Sequence, residues 1–313
     1  MKRVGLLVLG SFINSLGTGL TAFGLAIVML RTYGTASSVT AIQMSSFAPI
    51  VLLAPLAGAL ADRYDRRLMM IIGDAGSVLG LGIILMALSS SRPSLAWVCT
   101  GAVISSCLAA LTEPALKASV TDLVTEEDYV RASGLLQLAS AAKYLLAPAA
   151  AGFLMPVVGV RGLVLLDAST CVVTVACTIT VRRALAAEAD LRTTAGQEPG
   201  QDILAGWRTI TSSPGLRVLV ILMTLATLAI GVIQVLIKPI LLPTVSTSTM
   251  GVIETVAAIG MLVGAALVTV WKRARPTTLL AVGLASTGAA MMLVPLGPGA
   301  WWVSACGFLT FTS

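Results

Sequence analysis

Charged side chains inside long apolar segments are the residues with the most evident chemistry in this sequence. Lys143 lies midway along one such segment, Asp167 lies in the outer part of the next, and Asp74 and Glu254 lie closer to the ends of two others. A charge at mid-membrane costs at least ~2.5–3.5 kcal/mol on insertion scales, so each of these residues is expected to pair with another group or to act on a substrate or ion.

Lys143 has two readings that the residues leave open. Its ammonium group either faces a central cavity and attracts an anionic or polar substrate, or it forms a structural ion pair, with Asp167 as one possible partner. The amides of Asn14 and Gln137 likewise either line a cavity or form hydrogen bonds between helices.

A second concentration of charge lies between Gly58 and Arg67, which read G-A-L-A-D-R-Y-D-R-R. Five charges within ten residues, flanked by apolar runs, indicate a tight turn between two membrane-spanning helices. The small Gly58 is expected to allow close helix packing, and Asp62 to engage a helix end or a basic partner. Three arginines are expected to hold the turn at the headgroups and to offer a partner to Asp74: Arg63, Arg66 and Arg67.

Other kinds of chemistry find little support in the sequence. The five cysteines lack metal-ligand spacing, histidine is absent, and neither a phosphate-binding loop nor a nucleophile–base pattern occurs. We therefore predict a protein that is not an enzyme, with no cofactor and no metal site. Its net charge of +6 follows from membrane topology, so nucleic acid is not an expected partner.

The elements that must position these residues are membrane helices. Hydrophobic residues make up 57% of the chain and charged residues 11%, well below the ~25% charged residues of soluble domains. Backbone groups cannot stay unpaired in lipid, so apolar runs long enough to cross it must be helical. We place nine spans and a partial tenth at 4–30, 39–61, 68–90, 95–118, 131–155, 162–182, 215–242, 249–271, 276–296 and 299 onward.

The distribution of basic residues predicts the orientation of these spans. If the N-terminus is cytoplasmic, fifteen of the twenty lysines and arginines fall on the inner side, as the positive-inside rule requires.

The longest polar stretch divides the chain into three parts. Residues 1–182 are predicted to form a six-helix bundle, and 183–214 a cytoplasmic linker that includes an amphipathic surface helix around Trp207. Residues 215–313 would form an incomplete bundle of about four helices, because the chain stops within an apolar run. We therefore expect a truncated protein or a fragment.

The turn from Gly58 to Arg67 resembles the signature loop of the major facilitator superfamily, G-x-L-A-D-R-x-G-R-[KR], and departs from it only at Asp65, where glycine is commoner. Ala147 to Gly152, read as A-P-A-A-A-G, resembles the G-P-x-x-G-G element of exporters in that family, through Pro148 and Gly152. Looser similarities to macrolide and siderophore exporters lie at residues 16–23, Glu113–Pro114 and 206–208.

This resemblance implies an all-α polytopic membrane protein with the major-facilitator fold, here about 9–10 of 12 transmembrane helices. It implies a monomeric, proton-coupled exporter of hydrophobic or amphipathic drugs in the cell membrane, with a small-molecule substrate, protons and the lipid bilayer as partners. The charged turn would act as a gate latch, and protons would be carried by Asp74, Asp167 or Glu254. A siderophore or metabolite exporter and a non-transporting remnant are the alternatives.

Overall fold

The computed structural model describes residues 2–189 and 245–270, together with isolated positions between 212 and 221. The predicted surface helix around Trp207 and the predicted spans at 215–242, 276–296 and 299 onward lie outside the described residues. In the described part every regular element is a helix: α1 Lys2–Tyr33, α2 Ala36–Arg63, α3 Arg66–Ala87, α4 Leu95–Ala109, α5 Thr112–Leu123, α6 Glu126–Leu145, α7 Ala147–Ala189 and α8 Thr247–Val270.

Five helical stretches of the described part are long and apolar enough to cross a membrane: Arg3–Tyr33, Ala36–Arg63, Arg66–Ala87, Leu95–Leu123 and Ala147–Leu185. They cover the first four predicted spans and the sixth. The predicted fifth span is divided, since α6 ends at Leu145 and α7 begins at Ala147. Because α7 continues to Ala189, the first residues of the predicted linker are helical.

Proline explains two breaks in these crossings. A proline ring clashes with the carbonyl four residues earlier and removes a backbone donor. Pro114 lies four residues after Ala110, where the fourth crossing separates into α4 and α5. Pro148 similarly lies beside Leu146, where α6 gives way to α7. The fourth crossing therefore resumes after the break and runs to Leu123, beyond its predicted end at residue 118.

Helix α7 consists of two helical segments joined at Gly159. A straight helix of its 43 residues would be about 64 Å long, twice what a hydrocarbon core of ~30 Å requires. Gly159 has φ 66° and ψ 175°, a backbone conformation that only glycine adopts without strain. We call Ala147–Val158 the first arm of α7 and Val160–Ala189 its second arm.

The second arm of α7 runs antiparallel to α1 along most of its length. Thr174 donates to the Gly10 carbonyl (3.2 Å), and a methyl group added to Gly17 would lie 3.0 Å from the Cα of Asp167. One added to Gly24 would lie 2.9 Å from Leu163. Glycines at every seventh position share one helix face, so α1 presents a smooth surface on which α7 packs closely.

Helix α1 is the centre of the described bundle. Its residues contribute to all four buried apolar clusters, from Val4 and Leu7 at one end to Ala26 and Leu30 at the other. We call these two ends of the bundle the Lys2 end and the Gly34 end. Lys2 is the first residue of α1, and Gly34 follows its last residue.

Helices α3 and α4 meet backbone to backbone at Gly80 and Gly101. A methyl group on Gly80 would lie 2.6 Å from the Ser105 Cβ, and one on Gly101 would lie 2.7 Å from the Gly80 carbonyl oxygen. Small residues replace bulky packing at such membrane-helix contacts. Gly82, on the same helix, has no described atom within 4 Å of an added methyl group.

The two glycines of α3 give a matched test of this contact. Gly80→Ala should destabilise the protein by about 1–3 kcal/mol through overpacking, whereas Gly82→Ala should be neutral or slightly stabilising because alanine is the better helix former. Thermal unfolding of the purified variants in detergent measures the difference. Equal melting temperatures for the two variants would contradict the packing described here.

Candidate functional site

Asp65 joins three elements at the turn between α2 and α3. Its side chain caps α3 by accepting a hydrogen bond from the Arg67 backbone N–H (3.0 Å). Its other oxygen forms an ion pair with Arg182 near the end of α7 (2.8 Å). The residue that departs from the family pattern therefore stabilises the start of α3 and ties the turn to the second arm of α7.

Arg66 makes a second set of contacts at the Lys2 end. Its guanidinium forms an ion pair with Asp122 of α5 (2.5 Å) and donates to the carbonyls of Ala118 (3.1 Å) and Ala61 (3.3 Å). Arginine suits such a position because its planar head carries five donors. The last turn of α2, the first turn of α3 and the end of α5 are thereby held together.

Two expectations for the turn differ from the geometry. A methyl group on Gly58 would have no described atom within 4 Å, so among the described helices Gly58 does not mark a close approach. Its helix α2 is largely exposed in the described part, which accounts for the free space. Asp62 and Arg63 are both exposed, and the ion pairs that the described turn forms use Asp65 and Arg66 instead.

Asp74 does not form the expected ion pair with an arginine of the turn. The Asp74 carboxyl group is buried within the bundle, and Arg66 pairs with Asp122 instead. Asp74 is 1% exposed. One of its oxygens accepts hydrogen bonds from the Thr112 hydroxyl (3.0 Å) and, more weakly, from the Asn14 amide (3.5 Å). The other oxygen, Oδ2, is buried with no hydrogen-bond partner among the described residues.

Asp167 occupies a similar environment on the second arm of α7. It is 3% exposed, and its Oδ1 is also buried without a hydrogen-bond partner in the part of the chain that the structure describes. Asp167 interacts electrostatically with both Asp74 and Lys143. It packs against Gly17, half-way along α1, so it lies at mid-depth and not in the outer part of its span as the sequence suggested.

Asn14 and Cys171 link α1, α3 and α7 beside the two aspartates. The Cys171 thiol lies 3.5 Å from the Asn14 side-chain oxygen and 3.5 Å from the Ser77 hydroxyl, while Asn14 also reaches Asp74. Cys171 therefore belongs to a polar cluster, although the sequence suggested only apolar packing for it. We call Asn14, Asp74, Thr112, Lys143, Asp167 and Cys171 the buried polar cluster.

Lys143, the member of this cluster on α6, lies half-buried near the end of that helix. Its backbone packs against α1, where a methyl group on Gly19 would lie 2.8 Å from the Lys143 carbonyl oxygen. Its ammonium group lies 5.7 Å from the centre of the Tyr144 ring. No ion pair within 4.0 Å joins it to Asp167 among the described contacts, although Lys143 lies within electrostatic range of that carboxyl group.

The cluster occupies one level of the bundle. The residues of α1 that it contacts run from Asn14 to Gly19. These two residues are five positions apart, which corresponds to about 7.5 Å along a helix axis. The breaks before Thr112 and after Lys143 lie at this level. In transporters, interrupted helices near the membrane midplane are where substrate and ion sites form, which makes this level the candidate functional site.

The remaining predicted site residues lie elsewhere. Gln137 is exposed on α6, and Glu254 is half-buried on α8. Pro148 and Gly152, on the first arm of α7, are buried against α8.

A close contact between α7 and α8 lies toward the Gly34 end. A methyl group on Gly152 would lie 3.0 Å from the Thr247 carbonyl oxygen, and the Ser248 hydroxyl donates to the Gly152 carbonyl (3.0 Å). Arg31 of α1 donates to the Thr247 hydroxyl (2.6 Å). We call this contact the α7–α8 seam.

Two members of the cluster, Thr112 and Cys171, were not among the predicted site residues, although a signal for Cys171 was present. Asp167, Cys171, Thr174 and Thr178 recur at intervals of three and four residues, which places them on one face of a helix. This polar stripe within an apolar span indicates the face that packs on α1. Thr112, the other member that was not predicted, belongs to no comparable polar stripe in the sequence.

The chain belongs to the major facilitator superfamily, whose family model matches residues 7–313. The fold and sequence are therefore those of a transporter family with membrane-spanning helices and small-molecule substrates.

Two curated relatives match part of the chain. Macrolide efflux protein A of Streptococcus pyogenes is 27% identical over 164 residues, which cover 50% of this chain and 39% of the relative. An uncharacterised MFS-type transporter of Mycobacterium bovis is 31% identical over 147 residues, which cover 43% of this chain and 32% of that protein. The matched region thus spans less than half the length of these relatives.

Solved structures share the fold. A bacterial homologue of the iron transporter ferroportin in an inward-facing state superposes with a TM-score of 0.73 at 15% identity, over 99% of this chain and 80% of that one. A bacterial homologue of the human lysosomal transporter Spinster, inward-facing and unoccupied, gives a TM-score of 0.68 at 15% identity, over 99% and 72% of the two chains. The all-α polytopic major-facilitator fold predicted from the sequence is confirmed.

The two roles of Asp65 can be separated by substitution. Asp65→Asn should keep the helix cap but lose the ion pair, and since the pair is exposed to water the cost should be about 0–1 kcal/mol. Asp65→Ala should lose the cap as well and cost about 1 kcal/mol more. Arg182→Gln is the control for the ion pair alone and should match Asp65→Asn in thermal unfolding. An alanine variant as stable as the asparagine variant would rule out the capping role.

Proposed function

We propose that this chain is a proton-coupled secondary transporter that exports hydrophobic or amphipathic compounds by alternating access. Membership of the family supports transport of a small molecule across a membrane. The match to a macrolide efflux protein supports export of amphipathic drugs over a siderophore or another metabolite.

The observation that carries the coupling proposal is the pair of buried aspartates. An ionised carboxylate buried away from water is expensive unless it is paired and hydrogen-bonded. Asp74 and Asp167 each keep one oxygen without a hydrogen-bond partner among the described residues, so each carboxyl group has room to bind a proton. Histidine is absent, which leaves carboxyl groups as the side chains suited to this task.

The two ends of the bundle suggest how access would alternate. At the Lys2 end, Asp65 and Arg66 brace the helices of the amino-terminal half against one another. Asp62, exposed beside them, is left as the carboxylate available to latch that end to the carboxy-terminal half. At the Gly34 end, the α7–α8 seam would close the opposite side.

The proposed setting follows from the charge distribution. A monomer would lie in the cell membrane as a multi-pass protein with a cytoplasmic N-terminus, so that the basic turn meets the inner headgroups.

Transport can be tested directly with the purified chain in liposomes. A proton gradient, acid inside, should drive uptake of a fluorescent macrolide or another amphipathic dye into the vesicles, with release of internal protons measured by a pH-sensitive probe. A protonophore, which dissipates the gradient, should abolish dye uptake, and without dye the vesicles should show no transporter-dependent proton release. Movement of a ferric siderophore without movement of the dye would favour the alternative substrate class, and no movement of either would indicate a non-transporting chain.

Asp62→Asn tests the proposed latch in the same assay. The variant should insert into membranes and unfold at the same temperature as the parent, because Asp62 is exposed, but it should lose most of its proton-driven dye transport. Glu113→Gln is the matched control, since Glu113 is an exposed carboxylate whose ion pair among the described residues is with Lys117 (2.7 Å). Parent-like transport by Asp62→Asn would remove the latch from the proposal.

A further inference from the structure

We propose that a polar stripe on α6, made of Gln137, Ser140 and Tyr144, is a substrate-contacting surface that recognises uncharged amphiphiles with several hydroxyl, ether or ester oxygens. The inference rests on the proposed function and adds two features to it, the chemical class of the substrate and the residues that select it. Selection depends on hydrogen bonds spread along one helix and not on the charge of the substrate.

The three side chains of the stripe lie on one face of α6. They follow one another at intervals of three and four residues, the spacing that aligns side chains along a helix. The stripe extends by about 10.5 Å along the helix axis from Gln137 to Tyr144. All three residues are exposed, and among the described residues no hydrogen bond involves their side chains. Their polar groups are therefore available to water or to a ligand.

The rest of the α6 surface is apolar where it can be compared with the stripe. Leu136 is buried in a cluster with Leu7 of α1. On the exposed side, Leu138 is rotated by about 100° from Gln137 around the helix axis. Leu135 lies three residues before Leu138 and shares its side of the helix, and both leucines are exposed. The exposed surface of α6 thus has a polar flank, which is the stripe, and a leucine flank.

The position of α6 indicates what each flank faces. Helix α6 contacts both α1 and α8, so it lies between the amino-terminal bundle and the described helix that follows the predicted linker. It is not among the five described stretches that are apolar enough to cross a membrane, although most of it lies in the predicted fifth span. Polar groups without partners are costly in hydrocarbon. The leucine flank therefore suits lipid, and the stripe suits a water-filled space between the two halves of the chain.

The stripe leads to the candidate functional site. Tyr144 directly follows Lys143, whose ammonium group lies 5.7 Å from the centre of the Tyr144 ring. Helix α6 begins at Glu126, shortly after the end of α5, where Asp122 pairs with Arg66 at the Lys2 end. The stripe therefore runs between the Lys2 end and the level of the buried polar cluster, where helices are interrupted as they are around substrate sites in transporters.

The chemistry of the stripe indicates the class of its ligand. A glutamine amide and the hydroxyl groups of serine and tyrosine can all donate and accept hydrogen bonds, and none of them is charged at neutral pH. Ligand sites commonly combine apolar surface with a few polar groups that fix orientation. A ligand that matches three such groups over about 10 Å needs several separated oxygen atoms and an apolar body. A compact apolar cation has no groups with which to satisfy them.

Equilibrium binding to the purified full chain in lipid nanodiscs tests the ligand class. One probe is tritiated erythronolide B, an uncharged macrolactone with several hydroxyl groups, and the other is tritiated tetraphenylphosphonium, an apolar cation without hydrogen-bonding groups. The chain should bind the macrolactone. Gln137→Leu and Tyr144→Phe should each weaken that binding by about 2–10-fold, the effect of losing one hydrogen bond.

Leu138→Ala is the matched control, because Leu138 lies on the leucine flank of the same helix, and it should bind the macrolactone like the parent. Size-exclusion profiles confirm that each variant is folded. Absence of macrolactone binding, with or without binding of the phosphonium, would overturn the proposal. Parent-like affinity in both Gln137→Leu and Tyr144→Phe would overturn it as well.

Cysteine labelling in liposomes tests which flank faces water. Gln137→Cys and Ser140→Cys should react with a charged maleimide above the background of the parent's own cysteines, and the macrolactone should slow this reaction. Leu135→Cys and Leu138→Cys should stay at background, because a thiol in an apolar environment remains protonated and unreactive. Equal labelling of the two flanks, or labelling of the stripe that the macrolactone does not slow, would contradict the assignment.

These experiments separate the stripe from the proposed function, because neither of them needs a proton gradient. A chain that binds the macrolactone through the stripe but moves no dye would refute the proposed function and leave this inference intact. Proton-driven dye transport with parent-like macrolactone binding in both stripe variants would refute the inference and leave the proposed function intact.

Discussion

The close approach of α1 to α7 is the constraint on which the rest of the described bundle depends. Gly17 has no side chain, so the backbone carrying Asp167 lies directly against α1, and Gly19 does the same for Lys143. These two contacts bring opposite charges from different helices to one depth in the bundle. A larger residue at either glycine would force apart the elements on which the electrostatic balance of the cluster relies.

Proline has a complementary role, because it interrupts helices where the cluster needs polar groups. Pro114 separates α4 from α5 just before Thr112, which donates to Asp74. Pro148 separates α6 from α7 just after Lys143. Each interruption frees backbone groups that a continuous helix would satisfy, so the breaks are tolerable only within a protein interior. Their position beside the buried carboxyl groups meets that condition and supports a shared functional origin.

The sequence predicted the fold class, the described crossings and the charged turn, because hydrophobic length and charge asymmetry are properties of single segments. It failed where a contact depends on helices distant in the chain. Asp74 was expected to meet an arginine of the turn, seven to eleven residues away, yet its partners are Asn14 and Thr112, which only the packing of three helices brings together. The predicted depth of Asp167 was wrong for a related reason, since its level is set by the packing of α7 on Gly17 of α1.

The two ends of the described bundle are held by different kinds of contact, and this difference bears on the proposed cycle. At the Lys2 end the ion pairs Asp65–Arg182 and Arg66–Asp122 are partly exposed, and such pairs exchange with water at a cost of about 0–1 kcal/mol each. At the Gly34 end the backbone of Gly152 packs directly against α8. Dispersion attraction between such packed atoms is lost when the two helices separate by even a small distance. In the proposed function, opening the second end would require a compensating change elsewhere, and a proton that binds to or leaves the buried aspartates, which lie on helices contacting both ends, would supply it.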